Sequence, residues 1–201
     1  MILYDYLDSG NGYKVRLLLA KLGIAYTLRE LDIMNGATRT PEFLAINANG
    51  RIPTLVLDDG TTLAESNAIL YYLAAGTPYW PAQRIDRARV LQWLFFEQYS
   101  HEPYVATPRF IVRHLPTDSP RRAELPARLA QGRAAFDVMQ RQLAQSPFLV
   151  GDSCTIADIA LYAYSHVADQ GGHDLTEFPL VRAWLVRVAA QPGHFDMLPH
   201  D

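Results

Sequence analysis

Along the first 75 residues the apolar positions alternate between two periods, one of strands and one of helices. Residues 2–6 read as a strand. Over 13–22, Val15, Leu18, Leu19 and Leu22 fall at i, i+3, i+4 and i+7, the spacing of one buried helical face. Gly23 closes that helix as a left-handed C-terminal residue. Residues 26–31 predict a second strand. Thr40, Pro41 and Glu42 supply a cap, a first-turn proline and a first-turn acid for a short helix through Ile46. Residues 54–57 and 61–63 flank Asp58-Asp59-Gly60 and predict a hairpin. A third helix follows over 66–75, with Ile69, Leu70 and Leu73 inward and Gly76 beyond its end.

Residues 77–85 form a proline-bearing connection, after which strand signals vanish. The pattern predicts a helix over 86–100 around Val90, Leu91, Leu94 and Phe95. The segment 103–120 holds four prolines and is expected to break or kink it. Leu125, Leu129, Gly132, Phe136, Met139 and Leu143 then trace a helix-packing seam. Residues 155–167 are apolar nearly all round and predict a buried central helix. A last helix over 180–190 rests on Val181, Trp184, Leu185 and Val188. The order βαβ, helix, ββα is the thioredoxin-like arrangement. The chain therefore divides into a small α/β domain over 1–77 and an all-helical domain over 86–201.

Composition narrows the function classes. The chain has 201 residues, 49% hydrophobic and 19% charged, with a formal net charge of −3. That balance offers no polyanion-binding surface, so no nucleic-acid partner is expected. No apolar run approaches the roughly 20 residues of a membrane span, and the amino terminus lacks a secretory pattern. The single cysteine, Cys154, leaves no internal disulfide and no Cys-x-x-Cys pair; it reads as a small core or cap-region residue. The six histidines show no metal-ligand spacing. A cytoplasmic protein without a metal is the expectation.

Candidate chemistry concentrates in residues 49–69. Pro53 directly precedes a strand and donates no backbone N–H. If its peptide bond is cis, the neighbouring backbone turns outward and offers hydrogen bonds to a ligand. Glu65 and Ser66 add a carboxylate, a hydroxyl and the N–H groups of a helix start. Together these suit a small extended peptide carrying an amine and a carboxylate. Ser9, at the loop before the first helix, combines a hydroxyl donor with a positive helix end. Each has a plainer reading: a helix N-cap for Ser9, a strand-entry proline for Pro53, a helix start with a favourable acid for Glu65-Ser66.

The segments Ser9-Gly10-Asn11-Gly12-Tyr13-Lys14-Val15-Arg16, Arg51-Ile52-Pro53, Glu65-Ser66 and Gly151-Asp152-Ser153-Cys154-Thr155-Ile156-Ala157-Asp158 occur in order at spacings that resemble the glutathione S-transferase family. The resemblance spans essentially the whole chain. It implies glutathione bound by the thioredoxin-like domain and a small electrophile held against the helical one. Carried over, the backbone of Ile52 pairs with the cysteinyl unit beside a cis Pro53, and Glu65 and Ser66 hold the γ-glutamyl amine and carboxylate. Arg51 lies near the glycine carboxylate, with Arg39 as a helper. Ser9 activates the thiol with Asn11 assisting, as in the serine loops of zeta- and theta-like classes and the Thr and Asn of nu-like relatives. Tyr4 and Tyr6 are rival donors; Tyr6 precedes the matched motif by three residues. Tyr99, Tyr104 and Phe110 are candidates for the electrophile pocket, His101 for a residue reaching a partner subunit's glutathione, and Arg16 for an internal ion pair. Thr155 and Asp158 match the family's capping box. The resemblance also implies a homodimer. Glutathione-dependent disulfide or peroxide reduction, and a non-catalytic binding module, are the alternatives.

Overall fold

The computed structural model describes residues 1–197. It contains two compact units, residues 78–191 and residues 1–77 with the tail from Pro192.

In the first unit β1 (Ile2–Asp5) runs parallel to β2 (Thr27–Glu30) and antiparallel to β3 (Thr54–Val56), which pairs antiparallel with β4 (Thr62–Ala64). The sheet order is β2-β1-β3-β4. The parallel pair needs a crossover, and α1 (Gly10–Leu22) provides it. This helix begins three residues before the apolar spacing predicts, because Ser9 caps it and Gly23, at φ 65°, closes it. It is buried on nearly every side, Lys14 and Arg16 included. Thr40 caps α2 (Pro41–Ile46) by accepting from the Phe43 N–H. Then α3 (Ser66–Ala74) lays Ile69, Leu70 and Leu73 into the core that holds Leu3, Leu18 and Leu55. The tail packs on α1: the Tyr13 hydroxyl donates to the Phe195 carbonyl at 2.5 Å and Arg16 reaches the Met197 carbonyl at 3.4 Å. The helical domain expected over 86–201 thus gives up its tail to the first unit; its residues 198–201 lie outside the described residues.

The second unit holds α4 (Arg84–Phe96), α5 (Glu102–His114), α6 (Leu125–Leu143), α7 (Ile156–Ser165) and α8 (Pro179–Ala189). Every residue of α7 is buried. Thr155 caps it, and the Asp158 carboxylate accepts from the Thr155 N–H, the Leu149 N–H and the Trp184 indole, each at 2.9 Å. Burial pushes this carboxyl above its ordinary range while those donors pull it down.

Two expectations change here. The buried face of α4 is Val90, Trp93 and Leu94, continuing to Glu97 and His101, whereas Phe95 is 70% exposed. Pro103 and Pro108 also do not end the helix, which runs on to His114, two residues before Pro116. A π-helical turn, Glu97–His101, joins α4 to α5, and Pro103, in the first turn of α5, directly follows it. Pro108 lies inside α5, so the Tyr104 carbonyl loses its i+4 donor. His173 replaces it: its Nε2 donates to the Tyr104 oxygen at 2.9 Å. Burial holds the His173 imidazole below its usual range, consistent with a neutral ring in that place.

Candidate active site

Sheet register gathers the site. Tyr4 pairs with Thr54, and Thr54 pairs with Ala64. The chain leaving β1 toward Ser9, Pro53 entering β3 and Glu65 leaving β4 therefore emerge at one end of the sheet.

At that end Ser9 has extended backbone, φ −88° and ψ 121°, and its hydroxyl oxygen accepts from the Gly12 N–H at 3.4 Å. The N-cap reading of Ser9 thus holds. It leaves the hydroxyl hydrogen as a donor, since a serine hydroxyl accepts and donates together. Asn11 stands in the first turn of α1. Its Oδ1 accepts from the Ser66 hydroxyl at 3.3 Å and from Lys14 Nζ at 2.8 Å, and Lys14 also lies 3.4 Å from the Ser66 oxygen. Lys14 is fully buried, and the sequence reading gave it no role of its own. The signal available was a lysine one turn beyond Asn11 inside an otherwise apolar helix face.

Beneath this turn Asp5 and Arg16 form a buried ion pair at 2.8 Å, with Arg16 also donating to the Leu7 carbonyl. Burial outweighs the Arg16 attraction and lifts the Asp5 carboxyl to about 6. Gly12 makes room for it, since a Cβ there would stand 1.5 Å from Asp5 Oδ1.

Before β3, Asn47 braces the loop. Its Nδ2 donates to the Arg51 carbonyl at 2.9 Å and the Thr54 hydroxyl oxygen at 3.0 Å, and its Oδ1 accepts from the Asn49 N–H at 3.0 Å. The sequence reading missed this residue, although an Asn two residues before Asn-Gly is a turn signal. Arg39 donates to the Asn49 carbonyl at 3.0 Å. Gly50, at φ 60°, lets that guanidinium and the Thr38 carbonyl approach, with a Cβ there falling 2.5 Å and 2.8 Å from them. The Ile52–Pro53 peptide bond is cis. Past β4, Glu65 is the one non-glycine residue of positive φ among the described residues, at φ 68° and ψ 114°. Its side chain makes no capping bond to α3. Backbone held in so sparse a region costs roughly 1–3 kcal/mol and clusters at ligand-binding positions.

Of the candidates, Asn11 and Ser66 are in direct contact, and Arg39 and Arg51 flank one braced loop. Tyr4 packs edge-on against Phe43 at 5.7 Å. Tyr6 stands just past β1, its carbonyl accepting from the Ser9 N–H at 2.8 Å, and the remaining candidates belong to the helical unit. Tyr99 is 84% exposed, Tyr104 is half-buried, and Phe110 lies tilted on His114 at 5.3 Å. His101 is a core residue, 2.9 Å from the Ser165 hydroxyl and edge-on to Phe136, so it does not reach outward. Cys154 is buried beside the α7 cap.

Residues 1–75 match the glutathione S-transferase N-terminal domain and residues 93–192 match its C-terminal domain. The chain belongs to the glutathione S-transferase family. A crystal structure of a glutathione S-transferase from Pseudomonas fluorescens superposes with a TM-score of 0.94 at 50% identity, over 98% of each chain. Ure2p in complex with glutathione superposes at 0.86 and 28% identity, over 96% of this chain and 90% of that one. Among curated relatives, the transcriptional regulator URE2 of Saccharomyces cerevisiae is 30% identical over 95% of this chain and 65% of its own length. The chain spans about two thirds of the length of the URE2 proteins it matches. Among the described residues no helix is long and apolar enough to cross a membrane.

Proposed function

We propose that this transferase-family chain activates the thiol of glutathione for conjugation to a small electrophile. The observation that carries the reading is the 3.3 Å contact between Ser66 and Asn11, which joins a carboxylate-holding helix start to a thiol-activating loop. The thiol must ionise to attack. Lowering its pKa by about 2 units from about 8.5 requires roughly 2.7 kcal/mol of preferential anion stabilisation. The Ser9 hydroxyl, the Asn11 amide and the positive end of α1 are the donors for that anion. The Ile52 backbone pairs with the cysteinyl unit. Ser66 and the first N–H groups of α3 receive the γ-glutamyl carboxylate, Glu65 its amine, and Arg51, with Arg39, the glycine carboxylate. The thiol proton passes to solvent, the thiolate sulfur forms a bond to the electrophilic carbon, and the leaving group departs from that carbon with its bonding electron pair.

A second reading follows from the URE2 relatives, one of them named a transcriptional regulator: glutathione is bound without turnover. Calorimetric titration with glutathione, then assay with an aryl halide beside hydroxyethyl disulfide, separates the readings. Conjugation of the halide supports transfer. Turnover of the disulfide alone indicates reduction, and binding without either reaction indicates the binding module. Absence of binding at millimolar glutathione overturns the assignment.

A further inference from the structure

Lys14 is the site residue that neither thiol activation nor ligand holding has used. It lies one turn beyond Asn11 on α1 and is 0% exposed. Burying an ammonium costs free energy that an apolar side chain at the same place would not, so its presence asks for a role. Its Nζ donates to Asn11 Oδ1 at 2.8 Å and to the Ser66 hydroxyl oxygen at 3.4 Å, while that hydroxyl donates to the same Asn11 oxygen at 3.3 Å. The three side chains close a triangle.

An ammonium has donors and no acceptor. The Asn11 atom facing it is therefore the amide oxygen, which removes the two-fold ambiguity of a carboxamide. The amide nitrogen, the donor end, is turned away from Lys14. We propose that Lys14 is a positioning residue of the glutathione site, fixing the Asn11 carboxamide so that its N–H donors serve the thiolate. This rests on the glutathione reading above. The Ser66 hydroxyl has a single hydrogen. When it turns to an incoming carboxylate it gives up its bond to Asn11, and Lys14 keeps the amide oxygen in place. In the Lys14 variants that hold on the amide oxygen is gone, and a rotated amide would present an acceptor to an anion.

The test titrates the ultraviolet thiolate band of bound glutathione in wild type, Lys14→Met, Asn11→Ala and the double variant, with S-methylglutathione binding as the check on occupancy. Lys14→Met is expected to raise the bound-thiol pKa by about one unit when Asn11 is present, the worth of one charge-assisted bond. In the Asn11→Ala background the rise should fall below about 0.3 units, because the two residues act through one interaction. S-methylglutathione affinity sets the glutathione concentration at which each variant is saturated before its thiol is titrated. Lys14→Gln keeps a polar chain of similar reach and carries the same comparison, at smaller size, if the methionine variant does not fold. An unchanged pKa in the Lys14 variants, or an equal rise in both backgrounds, overturns the inference alone. A wild type that does not bind S-methylglutathione overturns the glutathione reading and this inference with it.

Discussion

At Gly12 a hydrogen in place of a side chain lets the Asp5 carboxylate lie against the first turn of α1. A methyl group there would collide with a buried carboxylate that Arg16 holds at 2.8 Å. Gly12→Ala gains about 1 kcal/mol of helix propensity but is expected to destabilise the fold by at least about 2 kcal/mol net. Urea unfolding checks this, and a neutral or stabilising result would mean the carboxylate has room to move. Ser9, Pro53, Glu65 and Ser66 were legible as site candidates because each breaks a local pattern: a hydroxyl before a helix, a proline at a strand, an acid–hydroxyl pair at a helix start. Lys14 was not, since a lysine at helical spacing reads as a solvated face and its contact with Ser66 spans 52 positions. Asn47 hid in the same way, its brace visible only once Arg51 and Thr54 are folded against it.

Elements extend the same lesson. The strand and helix order of the first unit was readable from period and turn residues, with boundaries within a few positions. The path from α4 to α5 was not, because a proline's cost depends on what replaces its missing donor. Here the replacement is His173, more than sixty residues later in the chain. His173→Leu should cost about 1–3 kcal/mol, the penalty of leaving the buried Tyr104 carbonyl unmet. Pro108→Ala restores an N–H at that carbonyl, so the cost of His173→Leu should shrink in its background. A urea-unfolding double-mutant cycle measures this, and additive costs would contradict the exchange of donors. The pH dependence has a definite sign. The folded imidazole has a depressed pKa, so as pH falls below about 6.5 the unfolded chain takes up the proton first. Stability from this group is present above that value and lost below it, and the loss should be absent in His173→Leu.

For the whole molecule, the family was readable because four short segments stand in order at consistent spacings, each weak by itself. What the folded chain adds is convergence: the register of three strands brings residues 5, 54 and 64 to one end of the sheet, and two helices start there. A second substrate leaves no comparable mark, because an apolar pocket is made of residue types that also fill a core; Phe95 and Tyr99, both strongly exposed, illustrate how poorly type alone locates such a surface. Everything proposed for the site turns on the ionisation of the sulfur. Ultraviolet titration of glutathione bound to wild type and to Ser9→Ala tests it most directly. The bound-thiol pKa is expected about 2 units below the free value near 8.5, returning most of the way in Ser9→Ala. A wild-type complex whose thiol ionises at the free value would contradict it.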